Sequence, residues 1–420
     1  MHGVPTLSKL TWMVVLIADQ FERSGLEGLR DLGLEVFFEP DLRDDALAER
    51  LTQTEADVLV VRSTKVTTSM IEGSSLRLII RAGAGYNTID VSAAHAKGVA
   101  VANCPGKNNL AVAELAIGLM IAVDRFIPDC VADLRAGTWN KKRYSKGRGL
   151  FGRTLGLIGF GRIGQEVAPR ARALGMRVIA FSRWLTPEVA AAAGVGRCDS
   201  SIEVAERSDF VSVHVPLTPE TKGSLGREFF EAMRPGAVFI NTSRAEVVDQ
   251  PSLEDAVRSG RVRAGLDVFE GEPAAAQGEY SGALRDLPGV YCTHHIGAST
   301  EQAQEAIAGE VVAIVKQFIS DGTVRNAVSL SDGASASHVL TVRHLQGPGV
   351  EQRIARILED AGTPASEVES VIATQSDIAI TQFGLQRRPD DAAMRAIRAD
   401  EHVLDVTLME VPSAIPAMTK

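Results

Sequence analysis

Apolar positions along the chain follow two alternating rhythms. Short runs at Met13–Ile17, Val58–Val61, Leu78–Ile80 and Val99–Ala102 read as buried strands, and stretches with helical spacing separate them. Strand alternating with helix from Met1 to about Pro105 predicts a parallel α/β unit. A long helix from Asn108 to about Asp124 opens a second block of the same kind. Its strands are predicted at Arg177–Phe181, Phe210–Val215, Ala237–Asn241, Ala264–Val268 and Val290–Thr293, after a first one just before Gly159. A helical pattern then runs from Thr300 to about Ile319. Residues 329–337 are small and polar and read as a linker. Beyond them, His338–Val411 reads strand, helix, strand, strand, helix, strand, a ferredoxin-like order, and Pro412–Lys420 reads as a loose tail.

The most informative local pattern lies in Leu155–Gly164, where an apolar strand runs into Gly159-Phe-Gly161-Arg-Ile-Gly164. Ile163, Val167, Ala168, Ala171 and Leu174 then recur at helical spacing. Strand, glycines and helix in this order form the context of a dinucleotide fingerprint. Gly159 permits the tight turn, Gly161 admits a pyrophosphate to the backbone, and Gly164 packs helix on strand. The phosphates would lie on the helix N-terminus, where free N–H groups and the dipole favour an anion. A plain glycine turn is the bland alternative. The next strand ends in Ser182-Arg183, with no acid to hold a ribose 2′-hydroxyl. Either Arg183 meets a 2′-phosphate or it points to solvent, so the cofactor is NAD or NADP.

Composition narrows the class. A net charge of −9 argues against general binding to nucleic acid or an anionic membrane. The four cysteines, Cys104, Cys130, Cys198 and Cys292, have no CxxC spacing, which suits reduced thiols in the cytoplasm and no metal site. The apolar run Trp12–Ala18 is too short for a signal core.

Arg244, Glu272 and His295 follow the glycine turn in that order. An imidazole titrates near working pH and can take or give the proton of a hydroxyl. A carboxylate on its far nitrogen fixes the tautomer, and a guanidinium is a two-pronged donor for a substrate carboxylate. Each alone has a bland reading: a satisfied buried histidine, or a solvated loop charge.

Several motifs in order give the chain a family likeness. They are Val61-Arg-Ser-Thr-Lys-Val66, Arg81-Ala-Gly-Ala-Gly-Tyr86, Asn103-Cys-Pro-Gly-Lys-Asn108, His214-Val-Pro-Leu-Thr218, Asn241-Thr-Ser-Arg244, Leu266–Pro273 and His295-Ile-Gly-Ala-Ser-Thr300. On these residues the chain resembles the D-isomer-specific 2-hydroxyacid dehydrogenases over roughly its first 330 residues. With the added C-terminal module, it is most similar to the branch that oxidises 3-phospho-D-glycerate at the entry to serine biosynthesis. The resemblance implies a Rossmann-type nucleotide domain (108–296) inserted in a flavodoxin-like substrate domain (1–107 and 297–328), with an ACT-like domain at 338–420.

It assigns catalysis to Arg244, Glu272 and His295, although His294 stands beside the last where relatives often have proline. Around the glycine turn it implies cofactor contacts from Arg162, Ile163, Ser182 and Arg183. Further cofactor contacts are implied at His214, Val215, Pro216, Thr242, Ser243, Asp267 and Gly297. A buried structural aspartate is the rival reading of Asp267, and a capped strand end that of His214. Substrate contacts are implied at Arg62, Ser63 and Lys65, at Ala84 and Gly85, and at Asn108 and Gln304. Arg and Lys suit a phosphate, while plain solvated charges are the alternative.

The turn His344-Leu-Gln-Gly-Pro-Gly-Val350 resembles an amino-acid effector site built on His344 and Gln346. It departs at Gln346, where asparagine is usual, and Thr363-Pro-Ala-Ser366 lacks an expected amide. The alternative is a structural module pairing through its sheet edge. The expected assembly is a homodimer or homotetramer. Two rival functions stay open: reduction of glyoxylate or hydroxypyruvate, and, from another class, a cofactor-sensing regulatory protein.

Overall fold

The computed structural model describes residues 13–183, 185–273, 278–328, 336–372 and 377–410. The predicted tail, and the predicted linker up to residue 335, lie outside them.

The first sheet holds β1 (Val14–Ile17), β2 (Glu35–Phe38), β3 (Val58–Val61), β4 (Leu78–Arg81) and β5 (Ala100–Asn103). All pairs are parallel, in the order β2-β1-β3-β4-β5, the flavodoxin-like order. Alternate strand residues serve opposite faces. Val15, Ile17, Val58, Val60, Leu78 and Ile80 join one core, and Leu16, Leu59, Val61 and Ile79 join the other. Burial on both faces is why these runs read as continuous apolar stretches.

The first core is covered partly by the helix Glu301–Asp321, through Ile307, Val311, Ile314 and Val315. Thr300 caps that helix by accepting from the Ala303 N–H at 3.2 Å. Residues 298–328 belong to one compact unit with residues 13–111. The sequence pattern does not predict β2, whose residues are only partly buried and whose apolar run is short.

The second sheet comprises β6 (Thr154–Ile158), β7 (Arg177–Phe181), β8 (Gly196–Arg197), β9 (Phe210–Val213), β10 (Ala237–Asn241), β11 (Val262–Leu266) and β12 (Val290–Cys292). Its order, β12-β11-β10-β9-β6-β7-β8, is parallel and reverses direction beside β6, as in a Rossmann sheet. Leu155, Leu157, Val178, Ala180, Val238 and Ile240 face one core, while Ile158, Ile179, Ala237 and Phe239 face the other. Strand boundaries differ from the pattern in β9, β11 and β12. β9 ends at Val213, so His214 already lies beyond the strand, and β11 starts two residues before Ala264 and ends at Leu266.

The third sheet contains β13 (His338–Leu345), β14 (Ala365–Ile372), β15 (Ile378–Leu385) and β16 (Val403–Glu410). It is antiparallel in the order β14-β15-β13-β16, with helices Val350–Asp360 and Asp391–Arg398, a ferredoxin-like βαββαβ. Leu340, Val342, Phe383 and Leu385 pack against Ile354, Leu358 and Ile397. On the face away from these helices, Val339, Thr341, Ile380 and Gln382 are buried too, and Ile380 joins a core of the second sheet.

Candidate active site

The loops after β6, β9, β10 and β11 gather at the carboxyl ends of parallel strands, where open α/β sheets bind ligands. Gly159 and Gly164 of the turn admit no other residue. Gly159 has φ +94°, and a Cβ there would stand 2.7 Å from the His214 carbonyl oxygen. A Cβ at Gly164 would stand 2.6 Å from the Gly159 oxygen, so the helix Arg162–Ala173 starts against the strand end.

Two buried groups, just past β9 and β10, bear on the cofactor. Among the described residues, Thr242 Oγ1 and His214 Nδ1 have no hydrogen-bond partner. The other ring nitrogen of His214 meets the Ser212 hydroxyl at 2.9 Å. Burial pushes the His214 imidazole down to about 3, so it stays neutral at working pH. A buried polar atom without a partner is uncommon. These two, with the glycine cradle, fit a dinucleotide. Val215 lies against Gly159, Ser243 is buried, Ser182 is half-buried and Arg183 exposed.

β10 delivers Arg244 through a turn built by Asn241. The Asn241 Oδ1 accepts from the Ser243 N–H (3.0 Å) and hydroxyl (2.9 Å), and its Nδ2 donates to the Arg244 carbonyl (2.9 Å). Burial lowers the Arg244 guanidinium from its usual value, against the opposing charges of Glu246 and Glu272.

Glu272 sits on the loop after β11, which turns through Gly271 at φ +75°. Its Oε1 accepts from the Phe269 N–H at 2.7 Å, and its Oε2 lies 2.7 Å from His295 Nδ1. Partial burial pushes this carboxyl up. The His295 hydrogen bond and charge, the Phe269 N–H and Arg244 outweigh it, and the net shift is downward.

His295 adopts φ +51°, a left-handed backbone rare for such a residue. Asp267 holds the loop in that shape. Its Oδ1 accepts from the Thr293 hydroxyl (2.6 Å) and the Ile296 N–H (2.8 Å), and its Oδ2 from the Gly297 N–H (2.8 Å). Both oxygens of a residue 1% exposed are thus engaged within the protein, which favours the structural reading of Asp267. Arg244, Glu272 and His295 line one cavity of about 630 Å³ together with Lys222, Glu246 and Phe269.

In the first unit, Arg62, Ser63 and Lys65 follow β3, with Ser63 and Lys65 exposed. Arg62 Nη2 donates to Ser299 Oγ at 3.0 Å. The Ala84 carbonyl accepts from Asn103 Nδ2 at 2.6 Å, and the Gln304 amide donates to the Ala298 carbonyl at 2.6 Å. Asn108 Oδ1 is buried with no hydrogen-bond partner among the described residues.

The C-terminal candidates divide. Gln346 is exposed, whereas His344 is buried with Nε2 2.9 Å from Thr381 Oγ1 and Nδ1 2.9 Å from the Leu345 carbonyl. Sequence reasoning missed the polar group beneath it, in which Thr381 and Ser370 share a bond with each other (2.8 Å) and with Glu351. A Thr in a strand otherwise apolar on that face was its only trace. Among the described residues no three His, Cys, Asp or Glu side chains cluster as a metal site, and no helix is long and apolar enough to cross a membrane.

A Rossmann sheet with an imidazole–carboxylate pair and an arginine on its C-terminal loops defines a dinucleotide-binding protein of the dehydrogenase class. Residues 117–297 match the D-isomer specific 2-hydroxyacid dehydrogenase, NAD binding domain. The chain is 41% identical over 319 residues to D-3-phosphoglycerate dehydrogenase of Methanocaldococcus jannaschii, covering 75% of this chain and 59% of that protein. Hydroxypyruvate reductase of Thermotoga maritima is 47% identical over 261 residues, 61% of this chain and 83% of the relative. The NAD+-bound 3-phosphoglycerate dehydrogenase of Entamoeba histolytica superposes with a TM-score of 0.63 at 28% identity, over 76% of this chain and 99% of that one. The chain belongs to the D-isomer-specific 2-hydroxyacid dehydrogenase family. It spans 59% of the length of the first phosphoglycerate dehydrogenases it matches.

Proposed function

We propose that the chain oxidises 3-phospho-D-glycerate to 3-phosphohydroxypyruvate with NAD or NADP, at the entry to serine biosynthesis. The observation that carries this reading is the 2.7 Å pair of His295 and Glu272 on the cavity that Arg244 also lines. Glu272 holds Nδ1, which leaves Nε2 to take the proton of the substrate hydroxyl. The ionised carboxylate stabilises the imidazolium that forms, and Arg244 holds the substrate carboxylate. A bound nicotinamide would supply the acceptor for the C2 hydride, so that loss of proton and hydride would leave the keto acid. In the reverse direction His295 returns the proton.

Arg62, Ser63 and Lys65, with Asn108 and Gln304, are proposed for the distal phosphate, and the backbone around Ala84 and Gly85 for the carboxylate. The domain division proposed is 1–107 with 297–328, 108–296 and 338–420. A cytoplasmic setting suits the four unpaired thiols. A second copy of the chain is the proposed partner. Ile127, Val131 and Leu134 stand exposed at one helical spacing on Ile127–Arg135, and Trp139 is 79% exposed just beyond. An amino acid at the C-terminal domain is a further proposed ligand, at the turn that carries His344 and Gln346.

Hydroxypyruvate reduction is the second reading, favoured by the identity to the Thermotoga maritima reductase. The test is reduction of 3-phosphohydroxypyruvate, hydroxypyruvate and glyoxylate, each with NADH and NADPH. A higher kcat/KM for the phosphorylated acid supports the proposal, and preference for either other acid overturns it. Ser182→Asp should move the cofactor preference toward NAD where Arg183 meets a 2′-phosphate. An unchanged ratio removes that role from Arg183.

A further inference from the structure

Asp19, two residues past β1, is 5% exposed and turned entirely onto the loop after β3. Its Oδ2 accepts three successive backbone N–H groups, from Arg62 at 2.6 Å, Ser63 at 3.1 Å and Thr64 at 3.0 Å. Its Oδ1 accepts the Ser63 hydroxyl at 3.1 Å. Successive N–H groups on a turn form a concavity that binds anions. Here the protein's own carboxylate fills it. Arg43 braces the arrangement, with its guanidinium 4.0 Å from Asp19 Oδ1 and donating to Thr64 Oγ1 at 3.3 Å.

Two consequences follow. The amides of residues 62–64 are not available to a substrate anion, so the charges this loop can offer are on side chains, the Arg62 guanidinium and the Lys65 ammonium. Their origin is also fixed by one acid just past the neighbouring strand, since β1 and β3 are paired. We infer that Asp19 is a positioning residue for the keto acid: it locks the 62–65 loop so that Arg62 and Lys65 meet the substrate's distal anion. This inference rests on the substrate-loop role given to Arg62 and Lys65 above.

The test compares Asp19→Ala and Asp19→Asn in the full chain, with whichever of the three keto acids the wild type turns over fastest. Misplaced binding groups should raise KM for the keto acid about 10-fold or more in Asp19→Ala, with kcat within about threefold and KM for the nicotinamide unchanged. Asp19→Asn should recover most of the loss, because its oxygen can accept the N–H groups while its nitrogen donates to Ser63 Oγ. Amide exchange over residues 62–64 should be slow in the wild type and faster in Asp19→Ala, whatever the substrate proves to be.

Faster exchange with an unchanged keto-acid KM overturns the inference, as does unchanged exchange. A parallel decline in kcat, both KM values and melting temperature marks a merely structural role and also overturns it. A wild type that prefers an unphosphorylated acid defeats the proposed function but leaves the Asp19 inference standing on that acid's KM. A wild type that turns over none of the three defeats both.

Discussion

His295 and His344 both sit at strand ends in recognisable motifs, yet the tertiary structure gives them opposite situations. The His295 ring is half-exposed, lines a cavity and has a carboxylate on one nitrogen only. The His344 ring is 3% exposed and has both nitrogens engaged by its own domain. His214 stands between them, buried but with one nitrogen lacking a hydrogen-bond partner among the described residues. What separates a reactive imidazole from a structural one is the nitrogen left over after the protein's own bonds are counted. His295 keeps one ring nitrogen without a hydrogen bond among the described residues, and its left-handed backbone is held by Asp267. His344 has none left to bind an effector with.

The contrast can be broken by substitution. His295→Ala should lower kcat by about 10²–10⁴ in steady-state assays, the range for a lost general acid–base, with cofactor KM little changed. Unchanged turnover would move the role to His294. At the other imidazole, Thr381→Val removes a partner from a buried nitrogen. It should cost about 1–3 kcal/mol in denaturant unfolding while kcat stays at the wild-type value. A fall in kcat without loss of stability would give the C-terminal site a part in turnover.

The smallest effect concerns His214. Its folded pKa lies below the unfolded value of about 6.5, so its contribution to stability is present above that pH. That contribution is lost as the pH falls from about 6.5 toward 3, because the unfolded chain then binds a proton that the folded chain refuses. His214→Gln should therefore flatten the dependence of the unfolding midpoint on pH across that window. An unaltered slope would show that the ring is solvated in the folded protein.

Legibility in the sequence followed the range of the interactions. The Gly159–Gly164 turn is readable because strand, turn and helix are contiguous and their glycines answer local steric demands. The helix Glu301–Asp321 was readable by its apolar period, but periodicity alone did not say which sheet it covers. The short β2 and the two-residue β8 carried too few apolar positions to register.

Asp19 carried no signal in the sequence, and Asp267 offered a cofactor contact and a buried structural role side by side, because each acts on groups that the pattern cannot locate. Asp19 bonds to a loop 43 to 45 residues away, and Asp267 to one 26 to 30 residues away.

By itself, the sequence determined which segments bury both faces as parallel strands, where the glycine turn must bend, and which cation, carboxylate and imidazole are on offer. Those are consequences of side-chain period and of glycine's missing Cβ, both local. The tertiary structure alone decided that Glu272 meets His295 rather than His294, that Asp19 occupies the amides of the 62–64 loop, and that His344 is sealed inside its sheet. Hydrogen bonding depends on ångström distances between residues far apart in the chain, and only packing sets those distances.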